Sequence, residues 1–283
     1  MPIRKGESAN EVTEVSPFAI RLNFHGDLAF FLKSKAGNKI GERRLGEKTS
    51  VKDVIESCGV PHPEIDLILV NGQSVDFSHI LECEQEIDVY PIQSPHTLFQ
   101  ENRLQVRIID RFIADGHLGK LARDLRLLGF DVLYDRDAQD RQLLAALNIE
   151  NPEIIGPREG LRSRALLTRD RWLLMHRVVR HGYYPRSQDP AEQTIEVMRR
   201  FDLFSSIAPF TRCLRCNALL EKVEKADVIE KLEPLTRIHY EHFRRCTGCR
   251  QIYWPGSHFD KLRARIAGIR ATLAPESQSE NQT

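Results

Sequence analysis

Two apolar, strand-like runs, RFIAD and ALLTRD, each end in an aspartate, Asp115 and Asp170, and each aspartate leads at once into an amphipathic helical segment. Strands alternating with helices form a parallel sheet with helices on both faces, so the pattern predicts an α/β domain. Ligand sites in open sheets of this kind lie beyond the carboxyl ends of the strands, where residues far apart in sequence converge. Aspartates gathered there repel one another unless a cation sits between them. The pattern therefore points to magnesium or manganese, and with it to phosphodiester chemistry.

The segments around these runs complete the domain. HLGKLARDLRLLGF carries Leu118, Leu121, Ala122, Leu125 and Leu128 on one helical stripe and stops at Gly129. DVLY reads as a second strand, followed by the acidic loop from Asp135 to Asp140 and a helix in RQLLAALN. After ALLTRD come a helix in RWLLMHRVV, a weak strand in HGYYPR, and a last helix, AEQTIEVMRRFDL, opened by Asp189 as N-cap and Pro190 at its first position. Asp115, Asp140 and Asp170 all precede helices, and an aspartate there is most simply a cap. Together they mean more, because Asp115 and Asp170 end strands expected to be neighbours and Asp140 begins the helix after the strand between them in sequence. Asp137 is the main rival for the middle position and Asp135 a weaker one.

Four of the six cysteines form two close pairs, Cys213-x2-Cys216 and, after 29 intervening residues, Cys246-x2-Cys249. Two turns that each present two thiolates make a closed tetrahedral site suited to structural zinc, with no open position for a reacting water. Free thiols in this number indicate a reducing compartment and hence a cytoplasmic protein. The N-terminal MPIRKGESANEVTEV has no apolar core of a signal segment, and no run approaches the ~18 apolar residues that span a bilayer. Charge is uneven: residues 1 to 100 hold 10 Lys+Arg against 15 Asp+Glu, the remainder 31 against 25. Between Arg158 and Arg186 there are eight arginines and only Glu159 and Asp170 as acids, a composition suited to phosphate contact. No serine or cysteine nucleophile with a positioned histidine is evident.

Ahead of this lies a different pattern. Phe18, Ile20, Leu22 and Phe24 alternate as in a half-buried strand, His25-Gly26-Asp27 turns into a second one, and Thr49 or Ser50 caps a short helix bearing Val51, Val54, Ile55 and Cys58. IDLILVNG is a buried strand running into an Asn71-Gly72 turn, and EIDVYPI is the closing strand. This order, and LVNGQSVDFSHILECEQEIDVYPI in particular, resembles the ubiquitin-like β-grasp of the sulfur carriers of thiamine and molybdopterin synthesis. Those carriers end in a free diglycine, whereas here the strand runs on through Ser94-Pro95, so the resemblance implies a docking or stabilising module, with a protein partner, rather than sulfur carriage.

The second half resembles a specific family. FIADGHLGKLARDLRLLGFDVLY, LLTRD, RCLRCN and CTGCRQIYWPGSHF are similar to the Mut-seven C-terminal ribonucleases, PIN-like domains that carry their own zinc ribbon, over about Leu104 to Leu262. The resemblance implies divalent-cation ligands and catalytic residues at Asp115, Asp140 and Asp170. The stretch ENPEIIGPREGLRS before ALLTRD is longer than the family's usual turn. Thr168, Arg169 and Arg171 are candidates to hold a phosphate or water beside Asp170, Thr168 equally an ordinary strand residue, and Tyr253, Trp254 and His258 are candidates to stack on bases, with packing of the small ribbon's own core the favoured role.

The expected organisation is a disordered tail over 1–16, a β-grasp domain over 17–95, a PIN-like domain over 104–205, a zinc ribbon over 206–262 and a disordered tail over 263–283. The expected activity is metal-dependent hydrolysis of RNA, single-stranded RNA above all. The competing expectation is a non-catalytic RNA-binding adaptor that uses the ribbon and β-grasp for docking, its aspartates serving only as caps.

Overall fold

A computed structural model describes residues 17–32, 40–92, 102–149 and 163–273. Contacts divide the chain into two units: residues up to Val60 with Ile65–Leu104, and Pro61–Glu64 with the chain from Gln105 onward. The expected tail over 1–16 and the long stretch before ALLTRD, apart from Ser163, lie outside the described residues.

The first unit is a mixed five-stranded sheet in the order β2-β1-β7-β4-β5. Its strands are β1 (Phe18–Phe24), β2 (Ile40–Leu45), β4 (Ile65–Val70), β5 (Gln73–Val75) and β7 (Gln85–Pro91). The short strands β3 (Thr49–Ser50) and β6 (Ile80–Leu81) pair separately. β1 lies parallel to β7 and antiparallel to β2, the ubiquitin-like arrangement in which first and last strands are central neighbours. Ile20, Leu22 and Phe24 face inward, as their alternation requires, and all six residues of β4 are buried. Ser50 caps helix α1 (Val51–Ser57) by accepting from Asp53 N at 3.1 Å. One local expectation fails: the chain leaves β1 through a 3-10 turn at Gly26–Phe31 rather than directly into a second strand, because Leu28 and Phe31 are drawn into the core.

The second unit is built on a parallel sheet in the order β11-β10-β8-β9. Its strands are β8 (Arg111–Ala114), β9 (Asp131–Tyr134), β10 (Ala165–Leu167) and β11 (Gly182–Tyr183). The period of two sorts its side chains onto two faces. Phe112, Ala114, Ala165 and Leu167 join a core with helices α2 (Gly119–Leu127) and α5 (Pro190–Arg200), while Ile113 and Leu166 join another with α3 (Asp140–Ile149) and α4 (Arg171–Leu174). Helices therefore cover both faces. α4 is shorter than RWLLMHRVV suggests, since the chain turns after Met175. Beyond the sheet, β12 (Leu220–Val223), β13 (Phe243–Cys246) and β14 (Ile252–Tyr253) form an antiparallel ribbon, and a short helix α6 (Pro234–His239) lies in the β12–β13 connection.

The expected disordered tail over 263–283 is corrected as far as Leu273, and residues 274–283 lie outside the described residues. Helix α7 (Ser257–Leu273) packs on α5, and Ile266 and Ile269 are buried in the core that holds Leu121, Leu125 and Val197. Leu262 and Leu273 flank them, giving a helical 4-3-4 spacing. Asp124 of α2 is buried at 7% exposure. Arg265 of α7 grips its carboxylate in a two-point ion pair whose Nε–Oδ1 distance is 2.8 Å.

Truncating an α7 anchor should therefore behave as core truncation. Ile266→Ala and Ile269→Ala are each expected to lower stability by about 2–4 kcal/mol in denaturant titration. A solvated tail would show less than about 0.5 kcal/mol for either change.

Candidate functional site

Pairing of Ala114 with Leu167 sets the ends of β8 and β10 side by side, and the edge is built from there. Asp115 N donates to Leu167 O at 3.0 Å, extending the sheet register by one residue. Asp115 stands at the cap position of the following 3-10 turn, yet its side chain makes no cap hydrogen bond. Its Oδ2 accepts instead from Thr168 Oγ1 at 2.8 Å. The same hydroxyl accepts from Asp170 N at 3.0 Å, so one threonine ties the two strand ends together. Thr168 is completely buried. It thus orients Asp115 and holds the Asp170 backbone.

Asp170 is exposed and does cap its helix, Oδ1 accepting from Trp172 N at 2.7 Å and Leu173 N at 3.2 Å. Asp140 opens α3 in an exposed position. Asp137 is also exposed and its N–H donates to Asp135 Oδ1 at 3.0 Å. This loop is held against Asp115-Gly116: the Arg136 carbonyl oxygen fills the space where a Cβ on Gly116 would lie, and Tyr134 Oη donates to Gly116 O at 3.1 Å. Asp115 and Asp170 are thus brought into one hydrogen-bonded unit. Among the described residues, Asp140 and the other two do not form a converged ligand group.

The arginines between Arg158 and Arg186 are largely committed elsewhere. Arg158 and Arg162 lie outside the described residues. Arg164 is buried and donates to Asp131 Oδ1 at 2.8 Å, and Arg186 pairs with Glu64 at 2.8 Å. Arg169 donates to Gln188 Oε1 at 2.6 Å and sits 5.8 Å above the Tyr184 ring, while Arg171 is half-buried in α4.

The second cluster is the cysteine set, whose four Sγ atoms all lie within 4.8 Å of one another. Cys216 and Cys246 sulfurs are 3.3 Å apart and those of Cys213 and Cys249 3.6 Å apart. Four thiolates at zinc–sulfur bond length stand about 3.8 Å from each other, so the set fits zinc in distance and donor chemistry. Each pair is closed by the same turn. Asn217 N donates to Cys213 O and Arg250 N to Cys246 O, and both of these following residues are left-handed, with φ of 71° and 62°. Burial opposes charge on Cys216, but the Ala218 N–H and the Cys246 thiol donate to it and bring it down to about 6. Burial and donation to Cys216 push Cys246 up to about 12. The sulfurs share protons where a cation would let all four ionise. Tyr253 Oη lies 3.1 Å from Cys213 Sγ, so it packs inside the ribbon, and Trp254 is 36% exposed. The side chain of His258 lies outside the described residues.

The first cysteine turn also closes the edge of the sheet. β9 has β8 on one side only. On its other side Val132 N donates to Asn217 Oδ1 at 3.0 Å, and Val132 O accepts from Arg126 Nε and Nη2 at 3.0 and 2.8 Å. Arg126, 4% exposed, also reaches the Arg215 carbonyl at 3.2 Å. Asp131 begins β9 and receives Arg164, Asn217 Nδ2 at 2.7 Å, Arg111 at 3.4 Å and Arg212 at 3.6 Å. Burial works against its charge, but the hydrogen bonds from Arg164 and Asn217 with the surrounding guanidinium charge prevail and hold its carboxyl at about 2.

Residues 110–266 match the family model described as Mut7-C RNAse domain, and residues 18–97 match the one described as Mut7-C ubiquitin. No curated protein matches the chain.

Freshly purified reduced protein should contain about one zinc per chain, and Cys213→Ser should lose it and loosen the ribbon. Protein free of zinc by metal analysis would contradict the fit. A second expectation concerns pH. Because the folded state holds the Asp131 carboxyl at about 2, against an ordinary 3.8, its stabilisation is complete above about pH 4 and is lost as pH falls through about 2. It amounts to about 2 kcal/mol. Melts of Asp131→Asn and wild type should differ by at least that at neutral pH and converge in acid.

Proposed function

We propose, from the premise that the chain belongs to the Mut7-C RNAse domain family, that it is a divalent-metal-dependent ribonuclease acting on single-stranded RNA at the carboxyl edge of its parallel sheet. The observation that carries this reading is the state of Asp115, whose carboxylate is withheld from its own helix and oriented by a buried hydroxyl that also holds Asp170. A residue serving only as a cap has no need of Thr168. Asp115, Asp170 and Asp140 are the proposed ligands and catalytic residues, and hard carboxylate oxygens suit magnesium or manganese. When bound, the cation supplies an activated water and charge stabilisation for the departing oxygen. Gly116 keeps the loop bearing Asp137 and Asp140 close to Asp115, and Arg169 and Arg171 hold the RNA backbone, adding affinity rather than sequence choice. Zinc on Cys213, Cys216, Cys246 and Cys249 is structural. The described residues contain no helix long and apolar enough to cross a membrane, and the free thiols suit a cytoplasmic setting.

One observation favours the non-catalytic adaptor: Asp170 does cap α4, and the three aspartates do not converge among the described residues. In that reading the ubiquitin-like unit docks a protein partner and the second unit binds RNA without cutting it.

Asparagine separates the two readings, because it caps a helix about as well as aspartate but lacks the charge a cation requires. Asp115→Asn and Asp170→Asn should melt within about 0.5 kcal/mol of wild type in EDTA. Both should lose about a hundredfold or more of manganese-dependent cleavage of labelled single-stranded RNA. Comparison of Asp140→Asn with Asp137→Asn assigns the middle ligand. Wild-type protein that binds RNA but cuts neither RNA nor DNA with either metal would establish the adaptor.

A further inference from the structure

The ribbon, the loop before it and the start of α7 frame a cleft of about 440 Å³, inside the range of roughly 300–1,000 Å³ in which proteins hold compact ligands. One side of it is aromatic. The Phe210 and Phe259 rings meet at 4.6 Å, tilted by 30°, and Trp254, 36% exposed, lines the same cleft. Phe210 is held there against its preference: its φ is 59°, in the left-handed region that a bulky side chain seldom adopts, and strain of this kind collects at ligand sites. Two hydrogen bonds fix it, Phe210 N donating to Leu127 O at 3.2 Å and Phe210 O accepting from Arg244 Nη1 at 2.8 Å.

The other side is cationic. Lys222 of β12 stands directly opposite Arg244 of β13, and both line the cleft. Like charges so paired destabilise a sheet, a cost that an anion between them removes. Lys222 is exposed and has no ion pair or hydrogen bond among the described residues. Two acids also line the cleft, but Glu241 is paired with Lys225 at 2.5 Å, which leaves Glu224 against two cations and His242. Aromatic rings beside such a cation pair match an unpaired nucleotide, its base on the rings and its phosphate on the cations. The cleft is also remote from the acidic edge. Asp115 lies just before the turn that opens α2, and Leu127 ends that helix against Phe210, so nine residues of helix, about 13 Å, lie between them.

We propose that this cleft binds one unpaired nucleotide of the RNA strand, several nucleotides along from the bond at the acidic edge, an inference that rests on the nuclease reading for its choice of polymer. Duplex is excluded, since its stacked bases offer no free face. The residues of the cleft position the strand and take no part in bond breaking.

Trp172→Phe in the full-length chain leaves Trp254 as the sole tryptophan, and binding can be read in EDTA, where cleavage does not intervene. Titration with a single-stranded oligoribonucleotide should quench Trp254 fluorescence. An abasic strand of equal length and charge should bind more weakly and leave the emission nearly unchanged. Lys222→Ala should weaken single-strand affinity several-fold and lower the slope of log affinity against log salt by about 0.7, the share of one phosphate. Its melting temperature should stay that of wild type, and Lys222→Arg should restore both affinity and slope. Emission unmoved by RNA, or a salt slope indifferent to Lys222→Ala, overturns the cleft and leaves the nuclease reading standing. A free mononucleotide that quenches Trp254 without competing with bound RNA makes the cleft a small-molecule site and likewise overturns it, as does a quench that follows only self-association of the chain. A wild-type protein that binds no RNA removes both readings.

Discussion

The carboxylate of Asp131 is where the second unit is joined to itself. It receives Arg164 from the approach to β10, Arg111 from β8, and Arg212 and Asn217 from the first cysteine turn. Sheet and ribbon therefore meet on one half-buried negative charge. Removing a partner from such a cluster leaves an uncompensated charge, which costs more than the pair contributes when intact. A metal held by the four cysteines would act on the same point at one remove, since the turn that presents Asn217 is the turn that bears Cys213 and Cys216. Such a metal would be coupled to the position of β9, and through the loop after β9 to the acidic edge.

That edge combines two conditions. Asp170 is satisfied by its own helix and would be a stable residue in any α/β protein. Asp115 is held differently: its one described side-chain partner is a hydroxyl, which leaves most of the carboxylate's accepting capacity for another ligand. Thr168 makes the arrangement rigid because it is buried and engaged on both sides. Pre-positioned groups of this kind reduce the rearrangement required when a substrate arrives.

Adjacency of Asp115 and Asp170 was legible in the sequence, because a strand ending in aspartate and entering a helix specifies both sheet edge and direction. The cysteine pairs were legible for a similar reason, their spacing being itself the geometry of the turn. Nothing local marks Asp131, which looks like any polar residue opening a strand, and its partners Arg164 and Asn217 lie 33 and 86 residues away. Asp124 escapes sequence patterns likewise, its partner Arg265 being 141 residues distant. Thr168 stands out by position, but burial decides whether a hydroxyl meets a ligand or a neighbour, and burial is a property of the whole fold. The stripe through Ile266 and Ile269 is readable at helical spacing, although Arg263, Arg265 and Arg270 on either side obscure it.

The covering of β9 has a consequence for the protein without its metal. A strand with bare amide and carbonyl groups along one side is a template for another chain, and proteins take trouble to blunt such edges. Here the blunting is done by two side chains, Arg126 and Asn217, the second of which sits on a turn closed by cysteines. Without a cation on those cysteines the turn would slacken, and Val132 would offer its hydrogen bonds to whatever approaches. Zinc scarcity would then be felt first as chains adhering edge to edge, before the sheet itself comes apart.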